Sequence, residues 1–362
     1  MTGLNIPLDQ PRAVRPGEEL DVEKLGEYIS NTLDLPSRPL QIKQFPQGYS
    51  NLTYLISFGE SQMVLRRPPF GANIKSGHDM AREYKILRAL STHYTKAPKP
   101  LHYCEEPSII GSPFYLMERV SGVILRTKMP GEHKPGHHLM RQISHSFVDT
   151  LAELHAIDYV AAGLEELGRP LGYVERQVKG WTKRYVNSKT APNTTIDKVM
   201  QWLGTNYPNE KGASLIHNDF KYDNLILDPV DMTRILAVLD WEMSTLGDPL
   251  MDLGTTLGYW VNQNDPDWMQ ELALSPTTLP GNPTRAEVAE QYATKSGADL
   301  SQIVFYYVFG LFKITVIIQQ IYFRYKKGLT SDPRFAELNN AVRGFGNMAF
   351  QSLSKNRIDD LF

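Results

Sequence analysis

The sequence has 362 residues, 41% hydrophobic and 22% charged, with 26 glycines and 24 prolines; that length suits two ordinary cores, and that balance excludes disorder, collagen-like repeats and a disulfide scaffold. Lys and Arg number 38 against 40 Asp and Glu, a net charge of -2, so no global field would hold the chain on nucleic acid or on an anionic membrane, and any charge that matters is local. Cys104 is the only cysteine, which excludes an intrachain disulfide and a cysteine-rich zinc site and permits a reducing compartment.

Residues 1–10 carry neither a basic n-region nor an apolar h-region and lack the Arg-rich, acid-poor character of an organelle presequence, so the expected compartment is cytoplasmic. A helix is predicted over 21–33, with Val22, Leu25, Ile29 and Leu33 on one side. Strand-like runs follow at 41–45, 52–58 and 62–67. Gly48, Tyr49, Ser50 and Asn51 separate the first two, and Gly59 with Glu60 links the second to the third, the pattern of an antiparallel meander. A helix over 79–93 presents Met80, Tyr84, Leu87 and Leu90 and stops at the break over 97–100; strands at 101–105 and 114–120 then flank a turn at 111–113.

Beyond Ser121 helical periodicity takes over: Leu139, Ile143, Phe147, Leu151 and Leu154 form one stripe within 138–157. The boundary between two lobes is therefore expected near Ser121 and Gly122, giving residues 1–120 and 121–362. A hairpin over 225–227 and 235–239 interrupts the helices, and Thr284 with Glu287 has capping-box spacing. The run 304–323 is apolar but holds Lys313, Gln319 and Gln320, so it reads as a buried core helix, with no membrane span expected.

The most informative stretch, 215–227, holds His217, Asp219 and Asn224 in the order H-x-D-x-x-x-x-N; the hairpin and then Asp240, Trp241 and Glu242 follow. This is the spacing of a protein-kinase catalytic loop with a metal-binding carboxylate where kinases carry D-F-G. Asp and Asn also mark ordinary turns, but the loop, the hairpin and the second carboxylate seldom occur in that order by chance. On these residues the chain resembles the aminoglycoside phosphotransferase superfamily of kinase-fold small-molecule kinases. It is closest in style to the kinase-like domain fused ahead of acyl-CoA dehydrogenases in some relatives, with matches from about Phe45 to Gly328. The resemblance implies an α+β, protein-kinase-like fold of two lobes: an antiparallel sheet plus helix that binds nucleotide, then a mainly helical lobe for catalysis and acceptor binding.

It also implies ATP and Mg2+ as cofactors and a small-molecule hydroxyl as acceptor. In-line attack of that hydroxyl on a phosphoryl group needs a base, Asp219, and a cation on the phosphate, Lys221. Asn224 and Asp240 are hard oxygen ligands suited to magnesium, and His217 is expected to brace the loop. Gly48, Ser50, Asn51 and Thr53 fall where kinases carry a glycine-rich loop, although an ordinary hairpin would read the same way. Arg66 ends the third strand in the place of the V-A-I-K lysine, with Glu83 as its ion-pair partner; the exchange swaps a point charge for a planar fork. Met117 to Val120 form the expected adenine hinge. Gly247, Asp248, Pro249, Met251, Asp252 and Leu253 match G-D-P-x-x-D-L, in which the first Asp ties the metal-binding segment to the catalytic loop; capping of the next helix is the alternative for both carboxylates.

Acceptor chemistry is read from 121–200, which carries 11 Lys and Arg against eight Asp and Glu. Within it Val174, Val178, Trp181 and Tyr185 share one helical side, and Arg176, Lys179 and Lys183 another. A polycationic aminoglycoside calls for an acidic pocket, so this balance favours an anionic acceptor such as a hydroxy acid or hydroxyacyl-CoA. The relatives add an expected functional link to an acyl-CoA dehydrogenase. An aminoglycoside-type antibiotic kinase and a pseudokinase-like nucleotide- or acyl-binding module remain open alternatives. His133, His137, His138 and His145 read as a polar loop and not a metal site, because Pro135 and Gly136 break the helix between them. The helix carrying Lys313, Gln319, Tyr322, Arg324, Tyr325 and Gly328 reads as core packing with a snorkelling cation.

Overall fold

β-Branched and aromatic residues alternate through the first strands, and the meander they predict forms, extended to five strands. The computed structural model describes residues 9–36, 38–46, 51–70, 79–127, 129, 133–210, 212–273, 275–330 and 332–362. Strands β1 (Leu40–Gln44), β2 (Leu52–Phe58), β3 (Ser61–Arg67), β4 (Pro100–Cys104) and β5 (Phe114–Glu118) make an antiparallel sheet in the order β1-β2-β3-β5-β4. The period of two divides its faces. Met63 and Leu65 pack with Leu25 and Ile29 of helix α1 (Val22–Thr32) on one face, whereas Val64, Tyr115 and Met117 join the core shared with helix α2 (Met80–Leu90). Arg66, opposite Thr53 and Tyr115 in register, belongs to the second face. Arg67 goes the other way, donating to the carbonyl of Ile110 at 2.8 Å in the short helix α3 (Pro107–Ile110).

The rest is mainly helical: α4 (His137–His155), α5 (Tyr173–Ser188), α6 (Thr194–Leu203), α7 (Pro249–Tyr259), α8 (Asp267–Glu271), α9 (Arg285–Ser296), α10 (Ile303–Lys326) and α11 (Leu338–Lys355). Two small antiparallel pairs interrupt them. They are β6 (Ser214–Ile216) with β9 (Thr245–Gly247), and β7 (Leu225–Leu227) with β8 (Ile235–Val238). The capping box at Thr284 and Glu287 forms as predicted. Helix α10 alone is long and apolar enough to cross a membrane among the described residues, yet residues 305–316 are buried in the protein core.

Glycine fixes how α10 meets α7. A Cβ added to Gly310 would lie 2.0 Å from the Gly254 carbonyl oxygen, and one on Gly254 would lie 2.1 Å from that of Tyr306, so the two backbones touch where only hydrogen fits. That crossing carries Asp252 and Tyr259 on one helix and Lys313 on the other to the end of β6.

Candidate active site

β6 delivers its chain to His217, and helix α7 holds it there. Asp252 accepts the backbone N–H of His217 at 2.6 Å on one carboxylate oxygen and that of Asn218 at 2.8 Å on the other. Asn218 lies at φ 67°, a left-handed turn that this clamp secures. His155 Nε2 also donates to Asp252, at 3.1 Å, and its Nδ1 meets the Tyr292 hydroxyl at 2.7 Å. Burial would raise the Asp252 carboxyl; the His155 hydrogen bond and nearby positive charge outweigh it and hold the group below the usual carboxylate range. The expected job of Asp248 therefore falls to Asp252. Asp248 caps α7 at the Leu250 N–H, 2.8 Å, and accepts from the Tyr306 hydroxyl at 2.9 Å.

His217 braces the loop from within. Its Nε2 donates to the Leu239 carbonyl at 2.9 Å, which leaves Nδ1 to accept the Asp219 N–H at 3.3 Å. The Asp219 carboxylate accepts from Lys221 Nζ at 2.5 Å and from Asn224 Nδ2 at 3.0 Å, and Asn224 Nδ2 also reaches the Asp219 carbonyl at 2.8 Å. Both Asn224 bonds use its nitrogen, so Oδ1 is the atom a cation could take. Lys221 is pulled down by burial but raised on balance by Asp219. Burial and then Asp219 push the Tyr259 hydroxyl well above its ordinary value.

The sheet contributes the facing wall. Arg66 contacts Glu83 at 3.0 Å, Asp240 at 2.8 Å and Glu242 at 3.3 Å. Asp240 is left-handed at φ 68°; burial opposes its charge, but Arg66 and Lys221 keep its carboxyl below the usual range. Burial raises Glu83 despite Arg66. Asn51 Nδ2 donates to Glu242, and Arg82 ties the same segment to the sheet side through the Ser244 carbonyl at 2.7 Å.

Between these walls lies a cavity of about 560 Å3. Val64, Met117, Val120, Ile124, Ile226 and Leu239 make one apolar part of its lining, while Asp219, Lys221, Asn224, Asp240 and Glu242 are among its polar groups. Asn51, Thr53 and Arg66 also line it. Glu83 does not; it lies behind Arg66 with its side chain 1% exposed. Gly48 and Ser50 lie outside the described residues. Among the described residues no group of three His, Cys, Asp or Glu side chains could hold a metal ion. Asn224, Asp240 and Glu242 bring hard side-chain oxygens, the ligand type magnesium prefers, into the lining of the same cleft.

Sequence patterns gave no cavity role to several of the lining residues. Lys313, read as a snorkelling core cation, reaches the cavity from α10 with Trp181, Tyr259 and Arg126. The basic side of α5 is elsewhere: Arg176, Lys179 and Lys183 are exposed, with Arg176 on the carbonyls of Leu171 and Arg169 and Lys179 on Glu175. Helical spacing separated the two sides of α5 correctly but gave no sign that Trp181, on the apolar side, lines the cavity.

The loop from His217 to Asn224, the Asp240 segment and nearly all of the sheet fall within the span that a family profile matches. The profile of the APH phosphotransferase enzyme family matches residues 41–290. The chain belongs to this family. It is therefore a small-molecule phosphotransferase of the kinase-like fold. The chain is 32% identical to acyl-CoA dehydrogenase family member 10 of Mus musculus over 97% of its own length and 33% of that protein. It is 35% identical to family member 11 of Rattus norvegicus, over 93% of its length and 44% of that relative; it thus spans less than half of these relatives. A solved structure of a candidate aminoglycoside phosphotransferase from Ralstonia eutropha superposes with a TM-score of 0.78 at 30% identity, covering 93% of this chain and 99% of that one. Choline kinase from Cryptosporidium parvum shares the fold at TM-score 0.60 and 14% identity, over 94% and 98% of the two chains.

Proposed function

We propose that the chain is an ATP- and magnesium-dependent kinase that moves the γ-phosphoryl group onto a hydroxyl of a small anionic acceptor, a hydroxy acid or a hydroxyacyl-CoA, in the cytoplasm. The observation that carries this reading is the meeting of Asp219, Asn224 and Asp240 in one cleft whose lining also holds five cations, Arg66, Arg119, Arg126, Lys221 and Lys313. Residues 1–120 serve the nucleotide and 121–362 the chemistry and the acceptor. Met117 and Val120 flank the adenine, and Asn51 and Thr53, which line the cleft, face the phosphates. Arg66, steadied by Glu83, faces the phosphates beside Asp240.

The acceptor hydroxyl oxygen attacks the γ-phosphorus, its proton passes to Asp219, and the β–γ bridging oxygen leaves with the bonding electrons as ADP. Lys221 sits against the same carboxylate, so it can follow the phosphoryl group while orienting the base. Magnesium would be held by Asn224 Oδ1 and the Asp240 carboxylate, with Glu242 beside them, and supplies neutralisation of phosphate charge. His217 moves no proton, since both ring nitrogens are engaged by backbone. Similarity to acyl-CoA dehydrogenase family members over less than half their length supports a functional link to acyl-CoA metabolism.

A phosphate-transfer screen over hydroxy acids, hydroxyacyl-CoAs, choline-like amines, sugars and aminoglycosides tests the reading. Transfer confined to the first two classes is expected. Efficient turnover of kanamycin-type acceptors would favour an antibiotic kinase, and nucleotide binding with no transfer to any class would favour a pseudokinase-like module.

A further inference from the structure

Among the described cleft cations, Lys313 and Arg119 form no salt bridge, and of the two only Lys313 is buried. Its side chain is buried, 3% exposed, within a helix whose neighbouring residues Phe312, Ile314 and Val316 are all buried and apolar or nearly so. The ammonium donates to the Asn218 carbonyl at 2.8 Å and lies 5.9 Å from the centre of the Trp181 ring. It makes no salt bridge among the described residues: Arg66 has three carboxylates and Lys221 has Asp219, but no Asp or Glu comes within 4.0 Å of Lys313. Burial, with Lys221 and Arg184 as like charges nearby, pushes it down to about 8 despite Asp252 and Asp219, so it still carries its charge at neutral pH. An ammonium withdrawn from water without a counter-charge is costly, and here the cost is borne beside the residue preceding the candidate base.

Resting on the phosphotransferase reading above, we propose that Lys313 is the specificity-determining residue for the acceptor: it binds an anionic oxygen of that molecule and so sets the reacting hydroxyl beside Asp219. Two of the three ammonium donors are left for it once Asn218 takes one, and Trp181, Tyr259 and Ile317 in the same lining give the intervening carbon chain an apolar path. The anionic oxygen comes either from the carboxylate of a free hydroxy acid or from the phosphates of a coenzyme A thioester. A neutral or cationic acceptor leaves the charge uncompensated.

The test compares wild type, Lys313→Met and Lys313→Arg. Transfer from ATP is measured to monohydroxy carboxylic acids, their methyl esters and their coenzyme A thioesters, and calorimetry follows the binding of AMP-PNP and of the free acids. The expected result is a rise of at least about tenfold in acceptor KM for Lys313→Met, partial recovery in Lys313→Arg, and unchanged AMP-PNP affinity in both. A loss seen with the free acids alone assigns the carboxylate, and one seen with the thioesters alone assigns the coenzyme phosphates; either supports the inference. Equal KM in Lys313→Met and wild type overturns it, as does a fall in AMP-PNP affinity with acceptor KM unmoved. Wild-type transfer restricted to esters, amines or sugars overturns it while leaving the phosphotransferase reading intact. If no acid or thioester is phosphorylated but the acids bind wild type and bind Lys313→Met tenfold more weakly, the anchor stands and the kinase reading fails.

Discussion

Arg66 and Lys313 are cations 7% and 3% exposed that reach one cleft from different walls, and their surroundings could hardly differ more. The sheet surrounds Arg66 with Glu83, Asp240 and Glu242; the helical wall gives Lys313 one carbonyl and a ring face. The first charge is already compensated by the architecture, whatever phosphate contact it adds, because Glu83, Asp240 and Glu242 are built around it. The second is left for something that enters the cleft. A buried charge thus speaks of folding when its counter-charges are built in and of a ligand when they are not.

Replacing each cation should separate these roles. Arg66→Met leaves Glu83 buried without a cation and is expected to lower unfolding free energy by about 3–5 kcal/mol in chemical denaturation. A loss under about 1 kcal/mol would show that the sheet side does not depend on this ion pair. The helical wall depends instead on close packing, so Gly310→Ala, whose new Cβ meets the Gly254 carbonyl at 2.0 Å, should cost about 1–3 kcal/mol and weaken acceptor use more than nucleotide binding. Lys313→Met removes an uncompensated charge together with one hydrogen bond of about 1 kcal/mol; without ligand its denaturation midpoint should stay close to wild type, well short of the Arg66→Met loss.

Asp252 links the helical wall to the loop and gives the comparison a pH dependence. Its folded carboxyl lies below the ordinary value, which is about 4 in the unfolded chain. The native state therefore binds fewer protons there. Its contribution is complete above about pH 4 and is lost as the pH falls through the depressed native value. In Asp252→Asn the acid decline in stability should be shallower than in wild type. Stability at neutral pH should drop by about 1–3 kcal/mol, because two backbone N–H groups lose a charged acceptor. An acid profile parallel to that of wild type would mean that Asp252 does not carry this linkage.

What could be read from sequence was what lies close along the chain. The loop from His217 to Asn224, the hairpin and Asp240 are encoded within a short span, and each of them lines or braces the cleft. Arg66 and Glu83 were legible because strand and helix periodicities place them on facing sides of adjacent elements. Lys313 was not, since it contacts a residue 95 positions away and sits in a run whose apolar character announces core. Spacing left capping open for both Asp248, which precedes α7, and Asp252, in its first turn, because sequence cannot tell a helix cap from a carboxylate turned back onto the chain after β6. On α5 the charge count drew attention to Arg176, Lys179 and Lys183, though a basic helix face is as often bathed in solvent as turned towards a ligand.

The most direct test of phosphoryl transfer at this loop is Asp219→Asn, assayed for transfer of radiolabelled γ-phosphate from ATP to hydroxy acids and hydroxyacyl-CoAs beside a titration with AMP-PNP. A fall in turnover of at least about 10²-fold with nucleotide affinity within a factor of about two is the predicted result. Turnover equal to that of wild type with the same acceptor would contradict the account.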